Sequence, residues 1–216
     1  MSKISLTKFK YIKGFTLVEL IVSIAIMTVI LTVVVTGQTN YTSGSSLSQA
    51  ADDISLSLRQ AQVYGISVNK LSGSFDTGYG IEFRTDSNGS KNAYILFADR
   101  VKSGLYNYTY DGTWNCDIND LNQTTGECLQ KTIFSNGNII KELCYIPVSG
   151  SEGSPCSNPV NRADITFLRP NTDAHIILNG NSDPTVKGVR IRLQAIDNST
   201  ISVVVYTTGQ ISVSRP

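Results

Sequence analysis

The sequence predicts an α+β protein in which a long N-terminal α-helix, half transmembrane and half amphipathic, packs on an antiparallel β-sheet domain. Three observations predict this class: an apolar run near the N-terminus, an apolar stripe with helical spacing after it, and short β-rich runs separated by turn residues beyond. The 216 residues carry a net charge of +1, and 41% are hydrophobic. This composition disfavours wholesale disorder and a dedicated, strongly basic nucleic-acid binder.

Residues 15–35 form the first element, an apolar run in which Glu19 is the only ionisable side chain. As a helix this run would extend about 31 Å, enough to cross a hydrocarbon core of about 30 Å. Four lysines and no acidic residue precede it, and positively charged flanks remain cytoplasmic. We therefore expect a single-pass membrane protein with the N-terminus inside and the C-terminal domain exported.

Two other interpretations of the apolar run remain open. A cleaved secretory signal would have a shorter apolar region of about 7 to 15 residues without a carboxylate, although Val35-Thr36-Gly37 offers a small-residue cleavage site. A plain membrane anchor explains the length and the lysines. It does not explain Glu19, because an acidic residue in mid-membrane costs on the order of 2.5–3.5 kcal/mol.

Residues 13–20, KGFTLVEL, resemble the prepilin leader motif K-G-F-T-L-x-E-x of type IV pilins and type II secretion pseudopilins. The resemblance implies that residues 1–14 are a cytoplasmic leader, which prepilin peptidase removes after Gly14. Phe15 then becomes the N-methylated mature N-terminus, and Glu19 is the acidic residue at the fifth mature position. Removal of the leader leaves 14 basic and 17 acidic side chains, a net charge of −3.

The resemblance also implies a function and a set of partners. The chain is expected to be a structural subunit, without enzymatic activity or a cofactor, of a type IV pilus or a type II secretion pseudopilus. Its expected partners are other pilin or pseudopilin subunits, prepilin peptidase, the inner-membrane assembly platform and, before assembly, the lipid bilayer. Glu19 is expected to pair with the new amine of a neighbouring subunit, because pairing offsets the cost of burying either charge alone.

The next segment is predicted to interrupt and then resume the helix. Residues 36–46 are polar and contain Gly37 and Gly44, which are poor helix formers, so a flexible or partly melted segment is expected. Ser46 is a candidate N-cap and Gly65 a candidate C-cap of the amphipathic half. Five apolar residues between them, spaced four, three, four and three apart, form one stripe: Leu47, Ala51, Ile54, Leu58 and Ala61.

Four segments follow from these patterns: the leader 1–14, the transmembrane or filament-core helix 15–36, the flexible segment and amphipathic half-helix 37–65, and a β-rich exported domain 66–216. Strands are predicted at Tyr79–Arg84, Ala93–Asp99, Leu105–Tyr110, Ile139–Ile146, Ala163–Leu168, His175–Leu178, Gly188–Ala195, Thr200–Tyr206 and Gln210–Ser214. The last three suit an antiparallel meander with turns at Asp197-Asn198 and Gly209.

The downstream pattern resembles one branch of the pseudopilins. The amphipathic helix ends in LRQAQ at residues 58–62, Ile165-Thr166-Phe167 precedes a loop, and a hydrophobic strand is followed by Gly209 and a final strand. This arrangement is similar to the H-type minor pseudopilins and the related FimT-like minor pilins. Other pilins share the same N-terminus, so the branch rests on these downstream residues alone.

Four cysteines lie beyond the membrane span: Cys116, Cys128, Cys144 and Cys156. An exported domain faces an oxidising compartment, so disulfides are expected, and four cysteines allow three connectivities. We favour Cys116–Cys128 and Cys144–Cys156, each of which closes a loop rich in turn residues. A zinc site is the alternative, but the cysteines lack close spacing and the sequence has one histidine.

Two further patterns suggest chemistry in the exported domain. Asp117, Asn119 and Asp120 are calcium candidates, although the EF-hand scheme requires a glycine at its sixth position and Gly126 comes too late. The single histidine, His175, stands outside any recognisable catalytic motif. We therefore predict no metal site and no catalytic residue.

A DNA-uptake role is the less favoured functional alternative, beside adhesion and an unrelated membrane-anchored binding module. Some FimT-like minor pilins bind DNA through a basic C-terminal stretch, whereas here the tail contributes Arg215 alone. Arg190 and Arg192 alternate along one predicted strand near Lys187, and therefore share a face. These four cations are the candidate nucleic-acid contacts.

Overall fold

The computed structural model describes residues 14–67, 77–86, 91–106, 116, 127–149 and 156–215. The chain divides into two compact units, Met1–Tyr41 and Thr42–Pro216. The first unit is helical where it is described, and the second combines helix with β-sheet. The α+β class predicted from the sequence is confirmed.

The single helix of the described residues, α1, spans Leu17–Ile66. Its first turn is capped by Thr16, whose Oγ1 accepts a hydrogen bond of 3.3 Å from the backbone N–H of Glu19. The backbone is helical through residues 36–46, so the helix start predicted at Ser46 is wrong. The flexibility predicted for that segment stays a prediction.

Within the described residues, eleven strands form two antiparallel sheets. The strands are β1 (Gly78–Arg84), β2 (Ala93–Asp99), β3 (Cys128–Ile133), β4 (Ile139–Pro147), β5 (Pro159–Val160), β6 (Arg162–Phe167), β7 (Ala174–Leu178), β8 (Asn181–Ser182), β9 (Val186–Gln194), β10 (Thr200–Tyr206) and β11 (Ile211–Ser214). A six-stranded sheet has the order β3-β2-β1-β6-β7-β8, and a five-stranded sheet has the order β11-β10-β9-β4-β5. The predicted meander is β9-β10-β11.

The predicted strand at Leu105–Tyr110 is not found where the structure describes it. Leu105 and Tyr106 lie in a loop after β2, and residues 107–110 fall outside the described ranges. Conversely, β3, β5 and β8 were not predicted. The sequence of β3, CLQKTI, alternates poorly, and β5 and β8 have two residues each, too few to show a period.

One hydrophobic core lies among α1 and the inner faces of both sheets in the second unit. The predicted helical stripe is confirmed, because all five of its side chains are at most 1% exposed. The sheets contribute residues at alternate strand positions, as a period of two requires. Among them are Tyr79, Ile81, Phe83, Ile165 and Phe167 of the six-stranded sheet, and Leu143, Val189, Ile191, Leu193 and Val203 of the five-stranded sheet.

Gly65 allows α1 to pack closely on the sheet and does not cap the helix. It lies inside α1, one residue before the helix ends at Ile66. A Cβ atom at this position would collide with the backbone carbonyl oxygen of Phe167 at the end of β6. The glycine therefore allows the helix backbone to approach the sheet backbone closely, which corrects the predicted C-cap.

Candidate functional site

The first candidate site is the segment at the start of α1. Gly14, Phe15 and Thr16 precede the helix, and the Phe15 side chain is 78% exposed. A Cβ atom placed on Gly14 would have no described atom within 4 Å. Glu19 lies in the first helical turn and is exposed. A carboxylate at this position interacts favourably with the positive end of the helix dipole.

The helix from Leu17 to Val35 is long and apolar enough to cross a membrane, and none of it is buried by the described chain. Its large apolar side chains are between 49% and 75% exposed. The hydroxyls of Ser23 and Thr28 donate to backbone carbonyls one turn earlier, at 2.7 and 2.9 Å. Such bonds satisfy hydroxyl groups within the helix itself, as an apolar environment requires.

The cysteines form two disulfides, Cys116–Cys128 and Cys144–Cys156, with Cα–Cα distances of 5.5 and 5.7 Å. This is the pairing that the sequence analysis favoured. A Glu142 carboxylate oxygen lies within 4.8 Å of both sulfur atoms of the second disulfide. By distance alone, Glu142, Cys144 and Cys156 therefore resemble a metal site. Metal binding requires thiolates, and a disulfide supplies none.

The calcium candidates Asp117, Asn119 and Asp120 lie outside the described residues. The acidic residue nearest to them in sequence that the structure describes is Glu127, which is 2% exposed. Its carboxylate accepts hydrogen bonds from the backbone N–H groups of Arg100 and Val101 at 3.1 and 3.3 Å. Glu127 therefore holds the loop after β2.

The four candidate DNA contacts do not form one open patch. Arg190 and Arg192 are on the same face of β9, but Arg190 is 7% exposed and Arg192 forms an ion pair with Glu142 of β4. The Lys187 ammonium lies 5.8 Å from the centre of the Tyr206 ring. The fourth cation, Arg215, contacts α1, where it donates 3.2 Å hydrogen bonds to Ser48 and Asp52.

Sequence reasoning missed a buried charge cluster on the outer face of the six-stranded sheet. Glu82 and Arg84 of β1 face Asp164 and Arg162 of β6 in the strand register. Arg84 Nε lies 2.8 Å from Glu82 Oε1, and Arg162 Nε lies 3.0 Å from the same oxygen and 2.7 Å from Asp164 Oδ2. Glu-x-Arg on the predicted strand Tyr79–Arg84, and Arg-x-Asp across the start of the predicted strand Ala163–Leu168, were the available signal, because alternate residues share a face.

The cluster also positions the loop that follows β2. Asp164 Oδ1 accepts a 3.0 Å hydrogen bond from the Tyr106 N–H, and Arg162 donates one of 2.9 Å to the Tyr106 carbonyl. Burial raises the pKa of both carboxyls, and the Asp164 charge raises the pKa of Glu82 further, while the two arginines act in the opposite direction. Balanced charges explain how four ionisable groups are tolerated there.

His175 is exposed and lines a surface cleft of about 320 Å³ near the C-terminal end of β6. The lining residues are Gly78, Asp99, Lys102, Ser103, Gly104, Thr166, Leu168 and His175. The Asp99 carboxylate accepts hydrogen bonds from the backbone N–H groups of Ser103 and Gly104, at 2.9 and 2.7 Å. Asp99 therefore shapes the loop that forms the cleft.

Comparison with known proteins adds one finding at the N-terminus. A family model described as the prokaryotic N-terminal methylation motif matches residues 9–35. No curated protein and no solved structure matches the chain. The matched residues include Gly14, Phe15, Glu19 and the apolar helix through Val35. The match supports the type IV pilin and pseudopilin family, whose members are prepilin peptidase substrates with a structural role. It ends at residue 35, before the downstream residues on which the resemblance to the H-type branch rests.

Proposed function

We propose that this chain is a minor pilin or pseudopilin, a structural subunit of a type IV pilus or a type II secretion pseudopilus. Prepilin peptidase cleaves it after Gly14 and methylates Phe15. Residues 17–35 then hold the subunit in the bacterial inner membrane with the second unit exported, until the same helix enters a filament. The observation that carries this proposal is the methylation-motif match over residues 9–35.

The exposure of the matched helix supports the same function. Apolar side chains that are at least 49% exposed over five turns cannot stay in water, because each buried methylene contributes about 0.8 kcal/mol. Lipid covers them before assembly, and the helices of other subunits cover them in a filament. This accounts for a helix that is apolar on all sides and is used in two environments.

Glu19 is the residue on which assembly depends. Its carboxylate sits in the first turn of α1, and we expect it to pair with the amine that cleavage would create on Phe15 of a neighbouring subunit. The two opposite charges offset each other's desolvation in the filament core. In an isolated subunit the same carboxylate would face lipid without this partner, which costs free energy and therefore favours assembly.

The test uses the full chain, co-expressed with prepilin peptidase and the assembly proteins of its host. Glu19→Leu is expected to insert and to be cleaved normally but to be incorporated into filaments at least about tenfold less, equivalent to about 1.4 kcal/mol. Glu19→Asp is the matched control, since it keeps the carboxylate. Normal incorporation of Glu19→Leu would contradict the pairing.

Mass spectrometry of the mature N-terminus tests the class of protein independently of Glu19. An N-methylated Phe15 supports a pilin or pseudopilin. An intact Met1 supports a plain membrane anchor, and a start near Gln38 supports a secreted binding module. Either of the last two results would overturn the proposed function.

Within this class we place the chain with the H-type minor pseudopilins and FimT-like minor pilins. The support is the order of elements, in which the amphipathic half of α1 precedes a β-rich unit that ends with Gly209 and a final strand, β11. Arg192 and Arg215 are already paired with acidic side chains of the same chain, and the mature net charge is −3. Both facts favour a secretion or pilus role over DNA uptake. Gene neighbourhood distinguishes these roles, because secretion, pilus and competence operons differ in content.

A further inference from the structure

One end of the second unit is built by three turns and the part of α1 that contains Ser46. Asn138 Nδ2 donates a 2.9 Å hydrogen bond to Ser46 Oγ, which joins the β3–β4 turn to the helix. The β1–β2 turn joins through two backbone bonds, from Phe134 N–H to the Asn92 carbonyl at 2.7 Å and from Ile140 N–H to the Lys91 carbonyl at 2.6 Å. We call residues 91–92, 133–138 and 195–199 the Ser46 face.

The β9–β10 turn completes this face. A Cβ atom on Gly137 would lie 2.9 Å from Ile196 Cδ1, so the Ile196 side chain rests against the β3–β4 turn. Ile196 is nevertheless 74% exposed, the largest exposed fraction among the large hydrophobic side chains described in the second unit. Ile133 on the β3–β4 side is 65% exposed. The Ser46 face thus presents two large apolar side chains to the outside.

Two exposed lysines lie on and beside this face, while the nearby acids Asp86 and Glu142 are paired with Arg84 and Arg192. Lys91 and Lys141 are both exposed, the second near the start of β4. The acidic side chain of the face is Asp197, whose carboxylate accepts hydrogen bonds from the backbone N–H and hydroxyl of Ser199. Exposed apolar side chains with lysines around them are typical of surfaces that lie in a membrane interface.

We propose that the Ser46 face rests on the outer surface of the inner membrane before assembly, with Ile133 and Ile196 in the headgroup region and Lys91 and Lys141 against anionic lipid phosphates. This inference rests on the proposed function, because it requires residues 17–35 to be inserted. Ten residues separate the end of that span from Ser46. They extend about 15 Å as a helix and at most about 36 Å as an extended chain, so the membrane surface is within reach.

The opposite end of the unit provides a matched comparison. Val148 follows β4 directly and is 64% exposed, close to the value for Ile133. The nine residues of β4 place it about 30 Å from the end at which the strand starts. Val148 is therefore an equally exposed apolar position that the proposal keeps away from the bilayer.

The experiment measures fluorescence quenching of the full chain in vesicles of phosphatidylcholine and phosphatidylglycerol with brominated acyl chains. The sequence has one tryptophan, Trp114, which is replaced by phenylalanine in every variant. Ile196→Trp reports the Ser46 face, Val148→Trp the opposite end and Met27→Trp the membrane span. Circular dichroism and unfolding curves verify that each variant folds.

Quenching of about twofold for Ile196→Trp, with none for Val148→Trp, is expected for a side chain about 5–10 Å deep in the interface. Quenching of Met27→Trp alone would overturn this proposal and leave the proposed function intact. Absence of quenching for Met27→Trp would overturn both. Equal quenching of Ile196→Trp and Val148→Trp would indicate non-specific adsorption and also overturn it.

A second measurement tests the lipid charge. In vesicles without phosphatidylglycerol, or in a Lys91→Glu/Lys141→Glu variant of Ile196→Trp, quenching is expected to fall. Each lysine near an anionic surface contributes about 1 kcal/mol, so the two together correspond to roughly a 30-fold change in the bound fraction relative to the free one. Quenching that is independent of both changes would exclude the assigned role of the lysines and overturn that part of the proposal.

Discussion

The two units of the chain treat apolar surface and charge in opposite ways. The first leaves every large apolar side chain from Leu17 to Val35 at least 49% exposed and carries one carboxylate, Glu19. The second buries the apolar stripe of α1 almost completely and balances two buried carboxyls with two arginines. The comparison teaches that the second unit is stabilised by its own contacts, whereas the first depends on lipid or on other subunits.

The largest effect is expected from removing one charge of the buried cluster. Arg162→Met keeps an apolar side chain of similar length but removes the cation that lies 3.0 Å from Glu82 Oε1 and 2.7 Å from Asp164 Oδ2. Breaking a buried ion pair in this way costs about 3–5 kcal/mol of unfolding free energy. Chemical denaturation of the full chain in detergent measures it, with Asp183→Asn as an exposed control. A loss below that of the control would show that the cluster is not held by charge balance.

The same variant has a defined pH dependence. The folded-state pKa of Asp164 is raised by burial, so this carboxyl contributes most stability below its unfolded pKa of about 3.9, and the contribution is lost as pH rises through the folded value. Arg162 acts against this rise, so its removal raises the pKa of Asp164 further, and the difference in stability between wild type and Arg162→Met should be larger at pH 7 than at pH 4. Asp183 and Asp197, whose pKa values are lowered by hydrogen bonds, lose their contributions only at more acidic pH. A difference that grows on acidification would contradict the raised pKa.

Truncation of leucines tests the two halves of α1 directly. Leu58 is fully buried, so Leu58→Ala is expected to lower the unfolding free energy of the second unit by about 2–5 kcal/mol. Leu56, two residues earlier, is 66% exposed, and its replacement by alanine should change stability by less than about 0.5 kcal/mol. Leu31→Ala in the span should leave that unfolding transition unchanged. An equal loss for Leu31→Ala and Leu58→Ala would remove the distinction between the halves.

The smallest effects distinguish two glycines of the same helix. Gly44 is exposed with no atom within 4 Å of its Cβ position, so Gly44→Ala should stabilise the helix by about 1 kcal/mol. Gly65→Ala should instead destabilise the protein by about 1–3 kcal/mol, because the new methyl group meets the Phe167 carbonyl. Thermal unfolding of both variants measures the opposite signs. A stabilising Gly65→Ala would show that the helix can move away from β6 at no cost.

Much of the fold could be predicted from the sequence because the patterns that indicate it are local. The apolar run, the stripe from Leu47 to Ala61 and eight of the nine predicted strands depend on periods of a few residues. The disulfide pairs also join cysteines 12 residues apart, a local separation. At Leu105 and Tyr106, where a strand was predicted, the loop has a tertiary cause, since Tyr106 is held by Arg162 and Asp164, more than 50 residues away.

The candidate processing and assembly site at the start of α1 could be predicted from the sequence for the same reason. Gly14, Phe15 and Glu19 belong to one contiguous motif, and the exposed helix that follows them needs no partner from elsewhere in the chain. The buried charge cluster needed the register in which Glu82 faces Asp164, and the Ser46 face needed three turns brought to one end. Neither arrangement has a signature in any single segment.

By itself, the sequence determined which segment is apolar on all sides, which helical face is buried and where the processing motif lies, because these properties depend on neighbours within a few residues. The tertiary structure alone decided that two sheets form, that Gly65 meets Phe167, and that Arg192 and Arg215 are engaged by Glu142 and Asp52. The physical reason is that strand pairing and ion pairing join residues far apart in the chain. Their partners are selected by the packing of the whole unit and not by local spacing.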